Sequence, residues 1–285
     1  MKTLNEKYPK VKITTKDFLV TGESFDLLID SRRDLLITSP QPNEQDLSKY
    51  YESNLYISHT DSKAGLMAFL YQYVKKYSLA LKLRLILRLN GSSGTLLDIG
   101  SGTGDFLKLA KDNGWEAKGV EPNASARNLA KQKNLEVFET IDMLSGQTYD
   151  VITLWHVLEH LPNLELATQK IAHLLKPGGT LVVAVPNFNS YDAKYYKRYW
   201  AAYDTPRHLW HFSKTSMAKI FPLSVRLVKT KPMLFDAFYV SLLSEKYKKG
   251  TTFSVKALFI GLWSNIKGLG SKEYSSQIYC YKKSN

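Results

Sequence analysis

The sequence predicts an α/β fold, a mostly parallel sheet with helices on both faces. Two observations predict it. From Thr95 to Asn187, short apolar runs alternate with helix-length amphipathic stretches. Strands that alternate with helices call for a parallel sheet covered on both sides. The first apolar run, TLLDI, then breaks into glycines at 100, 102 and 104 just before DFLKLAKDN. That is the pattern of a strand-to-helix turn in which the backbone must bend sharply or lie against something. The chain has 285 residues and is 44% apolar, enough for one large domain with additions.

Taken in order, residues 1–60 read as short strands and turns: KITTKDFLVTG, SFDLLID and the turn-rich SPQPNE. Residues 63–90 are apolar and basic. LALKLRLILRL alternates as a strand would, but the length and the leucines favour a helix. GSSG at 91–94 is a break. TLLDIG reads as a buried strand, DFLKLAKDN as a helix ending at Gly114, AKGVEP as a second strand and ASARNLAKQKN as a second helix. LEVFE and YDVITLWHV are the third and fourth strands. LELATQKIAHLL is a helix stopped by KPGG, and TLVVAVPN is the fifth strand. Ligands of such sheets lie beyond the carboxyl ends of the strands, where the strand order reverses. After 187 the rhythm breaks. Residues 188–212 hold nine aromatics with four Lys/Arg, a composition that suits an acceptor-pocket wall with core packing better than a platform for nucleic-acid bases. A helix at SKTSMAKIF, a strand near 225–235, apolar helices near 238–247 and 254–267, and a last strand, SSQIYCYKK, complete the chain.

Composition excludes several classes. No run approaches the roughly 18 apolar residues of a membrane span. MKTLNEKYPKVK lacks an apolar signal core, so the cytoplasm is the expected location. The single cysteine, Cys280, excludes an internal disulfide and any zinc site built on several thiolates. The net charge of +13 is uneven: residues 63–90 carry 6 Lys/Arg and no acid, and residues 229–285 carry 10 against 3. These flanks suit a phosphate-bearing substrate, an anionic lipid surface or RNA, or else form a solvated face. The apolar helices near 238–267, with lysines at 246, 248 and 249, keep open a place at the inner membrane surface.

Two ligand classes compete for the glycine turn. The dinucleotide fingerprint G-x-G-x-x-G requires its third glycine at 105, and that residue is Asp105. S-adenosylmethionine has no pyrophosphate but presents an amino-acid tail, a ribose and an adenine. Asp98 offers a carboxylate at the strand end, either to hold the loop or to meet a ligand ammonium. Glu121, ending the second strand, can accept both ribose hydroxyls, though an acid there also suits NAD.

DIGSGTGDFL, GVEP, YDVITLWHVLEHLPN, LLKPGGTLVVAVPN and YDTPRHLWHFS, in that order, resemble the class I S-adenosylmethionine-dependent methyltransferases. The likeness is to the branch found in bacterial surface-polysaccharide and small-molecule pathways, and it covers about residues 50–285. It implies a Rossmann-like sheet closed by a C-terminal antiparallel hairpin, here near 225–235 and 275–283. It implies that Asp98, Gly100, Ser101, Gly102 and Gly104 cradle the methionine end and that Glu121 binds ribose. Ile141 and Asp142, after Thr140, border adenine, and Trp155 and His156 face the methyl donor. Tyr56 and His59 lie in the region that in relatives folds over the cofactor. Relatives often begin with a zinc ribbon of two C-x-x-C pairs. Asp30 and Arg33 stand where the second pair would fall, so no metal is expected, and residues 1–62 read as a degenerate ribbon before a methyltransferase domain at 63–285.

Methyl transfer from a sulfonium needs alignment, and needs a base only for a hydroxyl or a protonated amine. His160 and His208 are the base candidates. His156 and His160 share a face if WHVLEHL is helical, but Val157 follows His156, so this is not the H-E-x-x-H zinc motif. Arg207 either binds a carboxylate or phosphate on the acceptor or pairs with Asp204. His211 shares its motif on the substrate side. The expected reaction is methylation of a small molecule, with anionic acceptors included, at a hydroxyl of a sugar, glycolipid or related metabolite. An RNA or protein methyltransferase and an inactive adapter are the alternatives; a nicotinamide oxidoreductase is disfavoured by Asp105. The oligomeric state is left open.

Overall fold

The structure is a computed structural model that describes residues 4–8, 10–43, 46, 48–50, 66–251 and 254–285. A single helical turn, α1 (Leu4–Lys7), precedes three strands, β1 (Val11–Lys16), β2 (Ser24–Asp30) and β3 (Leu35–Ser39). The long helix α2 (Leu66–Asn90) leads into β4 (Thr95–Ile99), α3 (Asp105–Asp112), β5 (Glu116–Val120), α4 (Ala124–Gln132) and β6 (Glu136–Phe138). Then come β7 (Tyr149–Trp155), α5 (Leu164–Leu174), β8 (Leu175–Pro186) and α6 (Tyr191–Tyr196). After β9 (Trp210–His211) the chain runs through α7 (Lys214–Met217), β10 (Val225–Pro232), α8 (Asp236–Lys249), α9 (Val255–Ser271) and β11 (Ser276–Lys283).

The main sheet has the order β10-β11-β8-β7-β4-β5-β6. β8, β7, β4, β5 and β6 pair in parallel, and β11 runs antiparallel between β8 and β10. This is the expected parallel sheet with its C-terminal hairpin. Between β10 and β11 the chain inserts α8 and α9. The order reverses at β4, because the chain moves outward through β5 and β6 and then returns to β7 on the other side. The crevice beyond β4 and β7 is therefore the natural ligand position.

The central strands carry apolar residues on both faces: Val151, Ile152 and Leu154 of β7 and Leu181 to Val185 of β8 are fully buried. Such two-sided burial is what helices on both faces impose. Helix α2 packs Leu83 and Ile86 with Phe106 and Trp115 on one face. Leu164, Ile171 and Leu174 of α5 pack on the other. Asn123 and Asn163 start α4 and α5 by accepting the N–H groups of Ala126 and Leu166 through their side chains.

The N-terminal strands form a second, antiparallel sheet, β1-β2-β3-β9. Its third strand is Leu35–Ser39, upstream of the SPQPNE stretch read as a turn. Its fourth strand comes from residues 210–211, so the sheet joins the N-terminal segment to the chain that follows β8. Two aspartates organise its turns. Asp17 accepts the N–H groups of Leu19, Val20 and Thr21. Asp30, at an expected cysteine place, accepts those of Arg32 and Arg33. Leu27 and Leu36 pack with Tyr196, Trp200 and Tyr203 in one buried cluster. The aromatic segment is thus mostly core.

Candidate functional site

The three glycines of the β4–α3 turn all have positive φ, at 72°, 54° and 78° for Gly100, Gly102 and Gly104. Their surroundings differ. A Cβ on Gly100 would lie 2.3 Å from Val157 Cγ2, and one on Gly104 would lie 2.5 Å from Leu135 Cδ1. Those two glycines admit the protein's own side chains. A Cβ on Gly102 would meet nothing within 4 Å. Only there does the bare backbone face open space.

Glu121, at the end of β5, lies against this turn. Its Oε2 accepts the Gly102 N–H and its Oε1 the Asn123 N–H, both at 2.9 Å. Each oxygen keeps a lone pair for a further donor. Ser101 Oγ, also in the turn, is buried with no hydrogen-bond partner. Asp105 opens α3 with its carboxylate held by Lys75 at 2.6 Å and Lys133 at 2.5 Å. Burial works against its charge, yet the two ammonium groups keep its pKa below the usual carboxylate range. A carboxylate therefore already occupies the helix start that a pyrophosphate would need.

Asp98 is buried at the end of β4 and accepts a 2.6 Å hydrogen bond from the Thr153 hydroxyl. Burial raises its pKa to about 7, against the pull of Thr153 and Lys82. Lys82, from α2, has its amine 4.4 Å from the centre of the Trp155 ring, and burial lowers its pKa. Phe106 meets the other aspect of Trp155 edge-on, with ring centres 5.8 Å apart.

Beyond β7 the chain turns at His156, whose φ is 57°. Its Nε2 lies 3.1 Å from Asp236 Oδ2 at the start of α8, and its Nδ1 lies 3.4 Å from Glu159 Oε1. Burial disfavours charge on this ring, but Asp236 first and Glu159 next raise its pKa to about 10. His156 is thus an imidazolium that ties α8 to the site, with no lone pair to act as a base.

Glu159, His160 and His208 come together, each offering a ligand atom within 4.8 Å of the others. The two histidine rings meet edge-to-face with centres 4.6 Å apart. Each uses Nδ1 on a backbone carbonyl, His160 on Arg207 at 3.0 Å and His208 on Ala202 at 2.9 Å. A carbonyl only accepts, so the Nδ1 atoms carry the protons and the Nε2 atoms carry lone pairs. Burial, and then the neighbouring His160, lower the His208 pKa to about 4. The pair is joined because β9 crosses the 157–161 turn: Leu209 N donates to Glu159 O at 2.8 Å, and Trp210 Nε1 donates to Leu161 O.

Other expected site residues are placed differently. Arg207 is 1% exposed and enclosed. It donates to Asp204 Oδ1 from two nitrogens, to Asp17 Oδ1 and to Tyr50 O. Burial opposes its charge, and Asp204 and Asp17 more than restore it. Of its two expected roles, it fills the pairing one. His211 is buried, bonded to Thr38 Oγ1 at 3.0 Å, and lowered well below its usual pKa by burial and by His208. Neither residue presents a free face to a substrate. Ile141 and Asp142 lie in the turn after β6, with Asp142 paired to Lys170. Tyr56 and His59 lie outside the described residues. Lys82 and Asp236 were not legible from the sequence, since nothing in a basic helix or at the start of an apolar one marks them.

Residues 56–222, more than half of the chain, match the family model described as a methyltransferase domain. The chain belongs to the class I methyltransferase family. A ubiquinone biosynthesis O-methyltransferase of Serratia proteamaculans is 30% identical over 39% of this chain and 51% of its own length. An uncharacterized methyltransferase of Alkaliphilus oremlandii is 35% identical over 35% of this chain and 50% of its own. The chain thus spans about half the length of these curated relatives. Among solved structures, 1,6-didemethyltoxoflavin-N1-methyltransferase of Burkholderia thailandensis superposes with a TM-score of 0.53 at 12% identity. That match covers 92% of this chain and 96% of the other, and it shows a shared fold.

The methyltransferase turn fits an S-adenosyl ligand on its own terms. Gly102 leaves room against the backbone, and Glu121 keeps acceptor capacity beside it.

Proposed function

We propose that the protein transfers a methyl group from S-adenosylmethionine to a hydroxyl of a small molecule: a sugar, a glycolipid or a related metabolite. The observation that carries this reading is the open face of Gly102 beside the Glu121 carboxylate. Bound there, S-adenosylmethionine supplies a methyl group on a cationic sulfur. Glu121 holds the ribose hydroxyls, and the Gly100–Gly104 backbone receives the amino-acid end. Asp98, buried below it, gains a cationic neighbour and ionises more readily. Trp155, braced by Phe106 and Lys82, walls the crevice and excludes water.

Proton removal from the acceptor falls to the Glu159–His160–His208 cluster, whose Nε2 lone pairs are the unspent bases of the site. His156 takes no part in it, because Asp236 and Glu159 hold both of its nitrogens. An oxygen acceptor is supported by the O-methyltransferase among the relatives. An RNA acceptor lacks support in the aromatic segment, since Tyr196, Trp200 and Tyr203 are buried rather than offered for stacking.

Calorimetry tests this reading. S-adenosylmethionine should bind with one-to-one stoichiometry and NAD should give no heat. Glu121→Ala should weaken binding by roughly tenfold or more, as expected when charge-assisted hydrogen bonds are removed. Tight NAD binding without heat from S-adenosylmethionine would overturn the reading.

The acceptor class extends to amphipathic molecules at an anionic membrane surface, such as the inner face of a cell membrane. The support is the outer face of α9, which exposes Phe259, Leu262, Trp263, Ile266 and Leu269 beside lysines. Among the described residues, no helix is long and apolar enough to cross a membrane.

A further inference from the structure

The geometry points to a divalent metal site formed by Glu159, His160 and His208. This inference rests on the acceptor-side reading above and deepens it.

Three observations carry it. The first is composition: two imidazoles and one carboxylate, the donor set that suits borderline transition ions such as Zn²⁺, Fe²⁺, Mn²⁺ and Co²⁺. The second is preparation. Both histidines spend Nδ1–H on backbone carbonyls, Arg207 O and Ala202 O, which directs the Nε2 lone pairs elsewhere. A ring held in this way is the usual state of a metal-ligating histidine. The third is an unmet need. Glu159 is 1% exposed, and neither of its carboxylate oxygens has a hydrogen-bond partner. His156 approaches Oε1 at 3.4 Å as a charge only. The His156 imidazolium offsets part of the Glu159 charge from the Oε1 side, and Oε2 keeps no partner; a cation between that oxygen and the two lone pairs would satisfy all three groups.

The space is of the right scale. Ligand atoms about 2.1 Å from one ion lie about 3–3.5 Å apart, and the three groups here lie within 4.8 Å of one another. The cluster is wider than a metal-bound set by at most about 1.3–1.8 Å. A second carboxylate stands at its edge, with Asp204 Oδ2 4.0 Å from His208 Nε2.

Three protein ligands leave coordination positions open, as catalytic sites require. An acceptor hydroxyl in one of them would have its pKa lowered by the ion. Its O–H bond then breaks, the oxygen keeps the electron pair on the metal, and the proton leaves to water. With the ion bound, the two Nε2 lone pairs would be spent on it, and the metal would take over from the histidines the activation of the acceptor hydroxyl assigned to this cluster above. Neither the sequence spacing of H-x-x-x-H nor the missing ribbon cysteines bears on this site, because its third ligand arrives from 48 residues downstream of His160.

Metal binding is the test, read without turnover. Protein stripped by chelator is titrated with Co²⁺, following visible d–d absorption, and with Zn²⁺ and Mn²⁺ by calorimetry. One equivalent should bind. Glu159→Gln and His160→Asn should each weaken it by roughly tenfold or more. His160 is less buried than Glu159, and an Asn there can still donate to a carbonyl, so His160→Asn keeps the test valid if Glu159→Gln fails to fold. S-adenosylmethionine binding is measured on the same samples. If that cofactor binds and none of the three ions does at about 0.1 mM, or if the ions bind His160→Asn undiminished, the metal site is refuted while the methyltransferase reading stands. If the ions bind and S-adenosylmethionine does not, the functional reading fails and the metal site stands.

Discussion

On the proposed reading ligand binding turns on Gly102, and the other two glycines of its loop are not equivalent to it. Gly100 and Gly104 are bare because Val157 and Leu135 lie where a Cβ would go, at 2.3 and 2.5 Å. Gly100→Ala or Gly104→Ala forces those contacts apart and keeps a positive φ as well. Each should destabilise the fold by about 2–4 kcal/mol, combining overpacking with left-handed strain. Gly102→Ala carries only the backbone strain, about 1–2 kcal/mol, because nothing lies within 4 Å of the new methyl. Its effect should fall on S-adenosylmethionine, whose close approach the methyl blocks. Urea unfolding and calorimetry on the three variants separate the cases. Gly102→Ala should fold and lose cofactor affinity, and a variant that folds with unchanged affinity would remove the turn from the site. Three glycines within five residues announced a close approach, but the sequence could not say that two of the three approaches are internal. Side chains from 31 to 57 residues away make those contacts, and no local pattern records them.

At the level of elements, β9 is the piece that assembles the site, although it has only two residues. Trp210 and His211 pair with Ile37 and Leu36 of β3, and the preceding residues cross the turn after β7. Arg207 locks that crossing by bonding Asp204, Asp17 and the Tyr50 carbonyl at once. Arg207→Met should therefore destabilise the protein by about 3–5 kcal/mol, since Asp17 is left with a buried charge and no cation. Arg207→Lys should recover little, because one ammonium cannot reach acceptors on three segments. Denaturant titration checks this: the midpoint should fall at an unchanged slope, and a midpoint within experimental error of wild type would show that the N-terminal sheet does not depend on the crossing. The strands β4, β7 and β8 were legible because each carries a buried apolar run bounded by turn residues, and β5 by its place between two helical stretches. β9 was not, since two residues in an aromatic stretch become a strand only when a partner edge is present. The same reason hid the Glu159–His160–His208 cluster. Both motifs could be read, and both histidines were read as bases, but their meeting depends on a crossing that only the fold supplies.

At the scale of the whole molecule, the basic excess and the apolar excess meet on the α8–α9 insertion. Helix α9 turns its small residues inward: Ala257, Gly261, Ser264 and Gly268 are buried. A Cβ on Gly261 would lie 2.9 Å from the Ala237 carbonyl of α8, so the two helices touch along their backbones. The large residues are left outside, with Phe259 66% and Leu269 64% exposed. This inverts the usual arrangement of an amphipathic helix packed on a core. Residues 236–273 carry six lysines against three acids, and one of those acids, Glu245, is buried. An apolar strip beside cations suits an anionic lipid interface, where each lysine near the surface contributes about 1 kcal/mol. Asp236 begins α8 and grips His156, so a surface that holds α8 and α9 also holds the turn after β7. The protein should co-sediment with vesicles of phosphatidylglycerol and phosphatidylcholine, more weakly as salt rises and scarcely with phosphatidylcholine alone. Replacing both Phe259 and Trp263 by Ser should lower partitioning by roughly tenfold or more, given about 1.5–3 kcal/mol for a fully buried large side chain. Both side chains are exposed, so the fold should persist, and S-adenosylmethionine affinity should be unchanged. If the wild type ignores anionic vesicles but sediments as a dimer that the double variant abolishes, a second copy of the chain covers this face and the membrane reading fails.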